Sequence, residues 1–255
     1  MSDLAFEGRP LANMNAFRDA MHDAIAHPVW ESKVKQHANR WNPYSMEGGS
    51  TCAIAGDNFV VIGTDTRISY NEMSVLNRTA EKLHSLNDNI ILATGGFVGD
   101  AIQMRRVLNS RLHKFRFDYR CDMTVDLCAE LLARNLYYKR FFPYYTQAVL
   151  CGIDEEGEGA VYSFDPIGCI ERVPCSSSGN AESLIQPFLD NQIYQEHQSV
   201  AADKQKLTLE RAIGIVKDSF KLACEREVSV GDNIELVIAE HGKPTKRLII
   251  PLRED

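Results

Sequence analysis

Gly48-Gly49-Ser50-Thr51-Cys52-Ala53-Ile54-Ala55-Gly56 runs into Phe59-Val60-Val61-Ile62-Gly63-Thr64-Asp65-Thr66-Arg67. Both halves are short runs of small and β-branched residues, and Gly56-Asp57-Asn58 between them carries turn chemistry. That pattern predicts strands over 50–55 and 58–66 joined by a tight turn. The second strand is apolar on both faces, as a strand must be when its sheet is covered on both sides. A glycine doublet opens the unit and Asp65-Thr66-Arg67 closes it.

Working outward, further strands are predicted over 89–94, 147–153, 159–164, 168–173, 233–239 and 245–251, each bounded by turn residues such as Asp165-Pro166-Ile167-Gly168. Helices are predicted over 97–116, 124–138, 180–190 and 208–226 from apolar residues at three- and four-residue spacing, with Thr124 and Thr208 as N-caps. Pro187 falls inside the third, which should be kinked or start late. The order strands, two helices, strands, two helices, strands predicts an α/β (α+β) fold: a four-layer αββα sandwich with two packed, largely antiparallel sheets. No repeat or linker divides residues 50–251, so they read as one domain.

Residues 1–48 differ. Phe17, Met21, Ala24 and Ile25 share a helical stripe within 14–25, while Pro28 and Pro43 break the remainder. An extension lying on its own domain or a neighbour and a partly disordered tail both fit. The domain boundaries are read as 1–48 for the extension and 49–255 for the folded domain.

The 255 residues carry a formal net charge of −7, which argues against nucleic acid or an anionic membrane as the main partner. No apolar run approaches the roughly 18 residues of a membrane span. Asp3, Glu7, Asp19 and Asp23 interrupt any signal-peptide core, so none is expected. The seven cysteines include no C-x-x-C and read as small core fillers in a reducing compartment. His84, His113 and His197 lack metal-ligand spacing, and the acidic turn 154–158 reads as solvated. No metal and no cofactor are expected.

The opening unit resembles the core of N-terminal-nucleophile hydrolases, and specifically the proteasome β subunits. In that chemistry the freed α-amino group of an N-terminal Thr or Ser is the general base, a lysine favours the alkoxide, an aspartate orients the lysine, and a glycine N–H donates to the oxyanion. The resemblance places the nucleophile sixteen positions before Asp65, which is Gly49. Asp65 matches the family aspartate, Lys82 the lysine with one extra residue allowed, and Gly95-Gly96 the oxyanion glycine region, with Gly96 as the donor. Ser50 lies one residue along the strand and so faces the opposite side. Thr51 keeps the face but sits about 6–7 Å further on.

Two further segments depart from the family pattern. Ser178-Gly179-Asn180 stands for Ser-Gly-Ser, and Glu227-Val228-Ser229-Val230-Gly231-Asp232 for Asp-x-x-Ser-Gly-Gly, with Val230 in place of the supporting hydroxyl. Asp65 and Lys82 are then expected to form a structural ion pair. Lys139-Arg140-Phe141-Phe142-Pro143-Tyr144-Tyr145, Gly159-Ala160-Val161-Tyr162-Ser163-Phe164-Asp165 and Gln186-Pro187-Phe188-Leu189-Asp190-Asn191-Gln192 resemble a non-catalytic member of the family, over about residues 41–252. The aromatic run 141–145 fits either a corner plug or a subunit contact.

What the resemblance implies is a non-catalytic wall subunit of a 20S core particle in cytoplasm and nucleus. Its implied partners are β subunits of its own and the opposite ring and α-ring subunits, with room for assembly chaperones. The alternative is an active threonine or serine peptidase matured near Gly49.

Overall fold

The computed structural model describes residues 44–45, 47–70, 74–196 and 206–253; the helix expected over 14–25 lies outside them. Tyr44–Asp255 form one compact unit. Its strands are β1 (Ser50–Ala55), β2 (Phe59–Asp65), β3 (Ile68–Tyr70), β4 (Ser74–Asn77), β5 (Leu83–Ser85), β6 (Ile90–Gly96), β7 (Thr146–Ile153), β8 (Gly159–Phe164), β9 (Ile170–Val173), β10 (Cys175–Gly179), β11 (Asn233–Glu240) and β12 (Lys246–Pro251). The helices are α1 (Val98–Tyr119), α2 (Val125–Tyr138), α3 (Glu182–Leu189) and α4 (Leu209–Arg226).

Two five-stranded antiparallel sheets carry the fold, ordered β10-β1-β2-β11-β12 and β5-β6-β7-β8-β9. Alternation along β1 and β2 explains their packing. Cys52, Ile54, Phe59 and Val61 enter a core with Val216 and Phe220 of α4. Ala53, Val60 and Ile62 face the other sheet and meet Ile91, Val149 and Val161. On the far side, Ile90, Leu92 and Leu150 pack under Leu108 of α1 and Leu132 of α2. Three cores between four layers are the expected αββα sandwich, with every strand face of the centre buried as a doubly covered sheet requires.

Four strands escaped the sequence reading: β3, β4, β5 and β10. Each has only three to five residues, and Cys-Ser-Ser-Ser-Gly of β10 has little strand propensity. It is a strand because it pairs with β1 in register from Ser50↔Gly179 to Ile54↔Cys175 and is buried throughout. The strand expected from 168 begins at Ile170, because Asp165 Oδ1 accepts from the N–H groups of Ile167 (3.1 Å) and Cys169 (2.6 Å) and holds the preceding residues in a turn.

Thr124 and Thr208 cap their helices as expected, accepting from Leu127 N (3.4 Å) and Arg211 N (3.3 Å). α1 runs to Tyr119, three residues past its expected end, and stops at Arg120 in the left-handed region (φ 59°). α3 starts late, at Glu182, with Pro187 inside it, and passes into a π-helical turn over Asp190–Tyr194.

The cysteines divide. Cys52, Cys128, Cys151 and Cys175 are buried, and burial pushes Cys128 and Cys175 up to about 12 and the other two higher still. Cys121 and Cys169 are exposed and Cys224 is half-buried, so the core-filler reading does not extend to them. The aromatic run divides too. Tyr144 is buried in the α1/α2 core with Lys139 Nζ 4.3 Å from its ring centroid, whereas Phe141 is 95% exposed.

Among the described residues, Phe220 is the largest fully buried side chain, and it lies where α4 crosses β2 at Gly63, whose missing Cβ would meet it at 3.1 Å. Phe220→Ala should therefore lower stability by about 3–5 kcal/mol, read from the denaturation midpoint of the purified chain at unchanged m-value.

Candidate functional site

The residues singled out in the sequence meet at one end of the sandwich. Gly49 immediately precedes β1, Asp65 ends β2, Lys82 immediately precedes β5, Gly96 ends β6 and Ser178 lies near the end of β10. Glu227 and Val230 belong to the segment between α4 and β11. Antiparallel pairing of β1 with both β2 and β10, through Thr51↔Thr64 and Thr51↔Ser178, brings the three strand ends together.

Asp65 is the hub. It is fully buried, and its Oδ1 accepts from Ser50 N (2.8 Å) and Lys82 Nζ (3.0 Å), its Oδ2 from Arg67 N (3.2 Å). Complete burial pushes the carboxyl up from its ordinary value, while the Lys82 ammonium and the two N–H groups pull it down. Lys82 Nζ also donates to Arg67 O. The expected Asp65–Lys82 ion pair is formed, with side chains 0% and 7% exposed.

Among the described residues no hydroxyl is hydrogen-bonded to that lysine. Gly49 has φ +98°, and a Cβ built on it would overlap Lys82 Nζ and lie 3.1 Å from Cε and 3.2 Å from Cδ. The lysine thus fills the volume of the absent side chain. Ser50 Oγ accepts from Ala181 N (2.9 Å), away from Lys82 as the strand register requires. Thr51 Oγ1 donates to Ser178 O at 3.5 Å. Gly96 has φ +86°, and a Cβ there would come within 2.9 Å of Tyr145 O, so only glycine fits.

At position 230 the sequence reading was incomplete. Val230 is 2% exposed and packs into the α4 core, while the neighbouring Ser229 carries a hydroxyl toward the centre. Ser229 Oγ accepts from Asn180 Nδ2 (3.0 Å) and donates to Glu227 Oε1 (2.8 Å), and Asn180 N donates to Gly49 O (3.2 Å). Asn180, one of the departures, is the partner of Ser229, which stands next to the other, Val230. Their signal in the sequence is that each lies within a segment already marked as altered.

A cavity of about 220 Å³ opens beside the pair, lined by Gly48, Lys82, His84, Gly95, Gly96 and Arg105. His84 Nδ1 lies 2.8 Å from Arg105 Nη1. Burial, reinforced by the Arg105 charge, lowers His84 to about 4, so it faces the cavity as a neutral ring that accepts from the guanidinium. Among the described residues no cluster of His, Cys, Asp or Glu could hold a metal ion, and no helix is long and apolar enough to cross a membrane. In the acidic turn, Asp154 accepts from Glu156 N (3.1 Å), Glu158 N (2.8 Å) and Arg172 Nη2 (2.6 Å), which leaves it engaged within the chain.

Comparison with known proteins identifies the family. The family model "Proteasome subunit" matches residues 46–239. "Proteasome subunit beta type-1" of Caenorhabditis elegans is 60% identical over 242 residues, covering 95% of this chain and 94% of that protein. The Arabidopsis thaliana protein of the same name is 39% identical, covering 87% and 100%. "Proteasome subunit beta type-6" of Saccharomyces cerevisiae is 38% identical, covering 78% and 86%. The chain belongs to the proteasome subunit family, and its fold is the N-terminal-nucleophile hydrolase sandwich.

A second charged knot braces the centre from outside. Asp232, in the left-handed region at φ 66°, accepts from Arg67 Nε (2.8 Å) and Arg78 Nη1 (2.6 Å). The Arg67 hydrogen bond, against the cost of burial and with help from Arg78, holds its carboxyl below the usual carboxylate range. A depressed folded pKa contributes stability that is present above the unfolded value of about 3.9 and lost as pH falls through the folded value. Asp232→Asn keeps a residue that tolerates this backbone. It should cost about 2 kcal/mol at pH 7, and its stability should fall less steeply than wild type below about pH 4, as measured by denaturation across pH.

Proposed function

We propose that this chain is a non-catalytic β subunit of a 20S proteasome core particle, at the sixth ring position. It forms part of the wall of the proteolytic chamber and supports ring assembly for intracellular protein degradation. The observation that carries this reading is Gly49, where the nucleophile is required and where Lys82 instead takes up the space. A lysine and an aspartate can polarise a hydroxyl but cannot replace one. The 60% identity to a proteasome subunit beta type-1 over nearly the whole chain supports the place in the particle.

The proposed partners are β subunits of its own and the opposite ring and α-ring subunits, in cytoplasm and nucleus. The exposed Phe141 and Phe142 offer apolar area for such contacts. The rival, an active peptidase matured near Gly49, needs Ser50 or Thr51 as nucleophile, and both hydroxyls are engaged elsewhere.

Two measurements test the reading. An electrophile directed at N-terminal threonines, applied to the assembled particle, should leave this chain at its unmodified mass while labelling active neighbours; an adduct on Ser50 or Thr51 would overturn it. Lys82→Met should leave every peptidase activity of the particle within about twofold of wild type while lowering the stability of the chain by about 3 kcal/mol, because Asp65 loses its buried partner. Selective loss of one cleavage specificity from a normally assembled particle would mean that this subunit cuts.

A further inference from the structure

The run that follows α2 leaves most of its rings in solvent. Tyr144 turns into the α1/α2 core, but around it Tyr138 is 88% exposed and Phe142 71%, Phe141 stands almost wholly free, and Tyr137 and Tyr145 are more than half exposed. One such ring is ordinary on a surface, whereas a contiguous group of them marks a binding surface. Two cations are set among the rings. The Arg140 guanidinium lies 5.8 Å from the Tyr137 centroid and 5.6 Å from that of Phe141, and Lys139 lies over Tyr144. Neither cation has a carboxylate at ion-pair distance among the described residues. Their position just past the end of α2 suits the negative pole of a helix, which accounts for a cation there but not for the exposed rings.

The patch has a definite place in the sandwich. Phe97 N donates to Tyr145 O (2.9 Å), and Tyr145 N to Asp100 Oδ2 (2.8 Å) in the first turn of α1. Tyr145 O is also the atom that a Cβ on Gly96 would strike. The patch therefore stands at the same end as Asp65 and Lys82, beside the cavity lined by Gly96, Val98 and Ala101. A family member that carries a nucleophile has to turn this end toward polypeptide, because the carbonyl under attack must come within about 3–3.5 Å of the attacking atom. Side chains around the centre then face polypeptide as well. Phe141 and Phe142 offer area to a neighbouring subunit, but their place and the unpaired guanidinium point to a different occupant.

We propose that Tyr138, Phe141, Phe142 and Tyr145, together with Arg140, form a holding surface for extended polypeptide, with apolar side chains against the rings and a carboxylate on the guanidinium. Exposed rings accept any apolar side chain, so selection falls on charge, and acidic segments are favoured over basic ones. The inference rests on reading this chain as part of the chamber wall, and it gives that wall a contact with substrate that needs no nucleophile.

The purified full-length chain and a fluorescein-labelled, unstructured peptide of Leu, Phe, Asp and Ser test it by fluorescence anisotropy, with a peptide carrying Lys in place of Asp as control. The acidic peptide should bind about tenfold more tightly than the basic one. Phe141→Ser and Phe142→Ser should each weaken it about tenfold, and Arg140→Gln should remove most of the preference between the two peptides. All three side chains lie outside the core, so the variants should keep the denaturation midpoint of wild type. Equal binding of both peptides, or wild-type binding by both serine variants, would overturn the holding surface. In the assembled particle Phe141→Cys should react with a maleimide, read as added mass on the fragment containing position 141; a protected thiol would mean that a neighbouring subunit covers the patch and would overturn the proposal too. The peptide assay needs no particle, so its failure leaves the proposed function standing, whereas a chain that binds the acidic peptide but is absent from particles would overturn the proposed function instead.

Discussion

Removing the Asp65 carboxylate from water is tolerable only because three donors meet it there. A fully buried, unpaired carboxylate would cost many kcal/mol or take up a proton. The donors come from the start of β1 (Ser50 N), the residues just after β2 (Arg67 N) and the approach to β5 (Lys82 Nζ), so satisfying one side chain fixes three chain segments in mutual register. Because β1 and β2 belong to one sheet and β5 to the other, the same knot ties the two sheets at the end of the sandwich where the cavity opens. Everything else at that end is positioned against it.

The knot also explains how this centre holds together with glycine at position 49. Once residue 49 is glycine, the volume beside it is open to Lys82, which reaches both Asp65 and Arg67 O. The buried charge is then balanced internally, and no hydroxyl is needed to complete the hydrogen bonding. Ser229, Asn180 and Glu227 form a hydrogen-bonded chain beside the Gly48 backbone. Val230 is accordingly free to join the α4 core.

Where sequence reading succeeded, the deciding physics was local or periodic. The alternation of β1 and β2, the threonine caps at 124 and 208, and the three- and four-residue stripes of the helices all follow from interactions within a few positions of chain. It failed where a segment's state is set by its neighbours. Cys175–Gly179 forms a strand because β1 lies beside it, and three-residue β5 because β6 does. Neither carries enough pattern of its own to be seen.

The sequence by itself determined the sandwich, because strand and helix periods are properties of the chain alone, while the placement of Gly49 where a nucleophile would be and the pairing of Asp65 with Lys82 were expected only from the resemblance to a known family. Only the tertiary structure decided what fills the vacancy. That Lys82 takes the space of the absent side chain, that Ser229 rather than Val230 faces the centre, and that Glu47 reaches across to cap α1 depend on contacts between residues separated by tens to more than a hundred positions. Such contacts come together only when buried polar groups compete for partners in the folded interior, and no local pattern encodes the outcome of that competition.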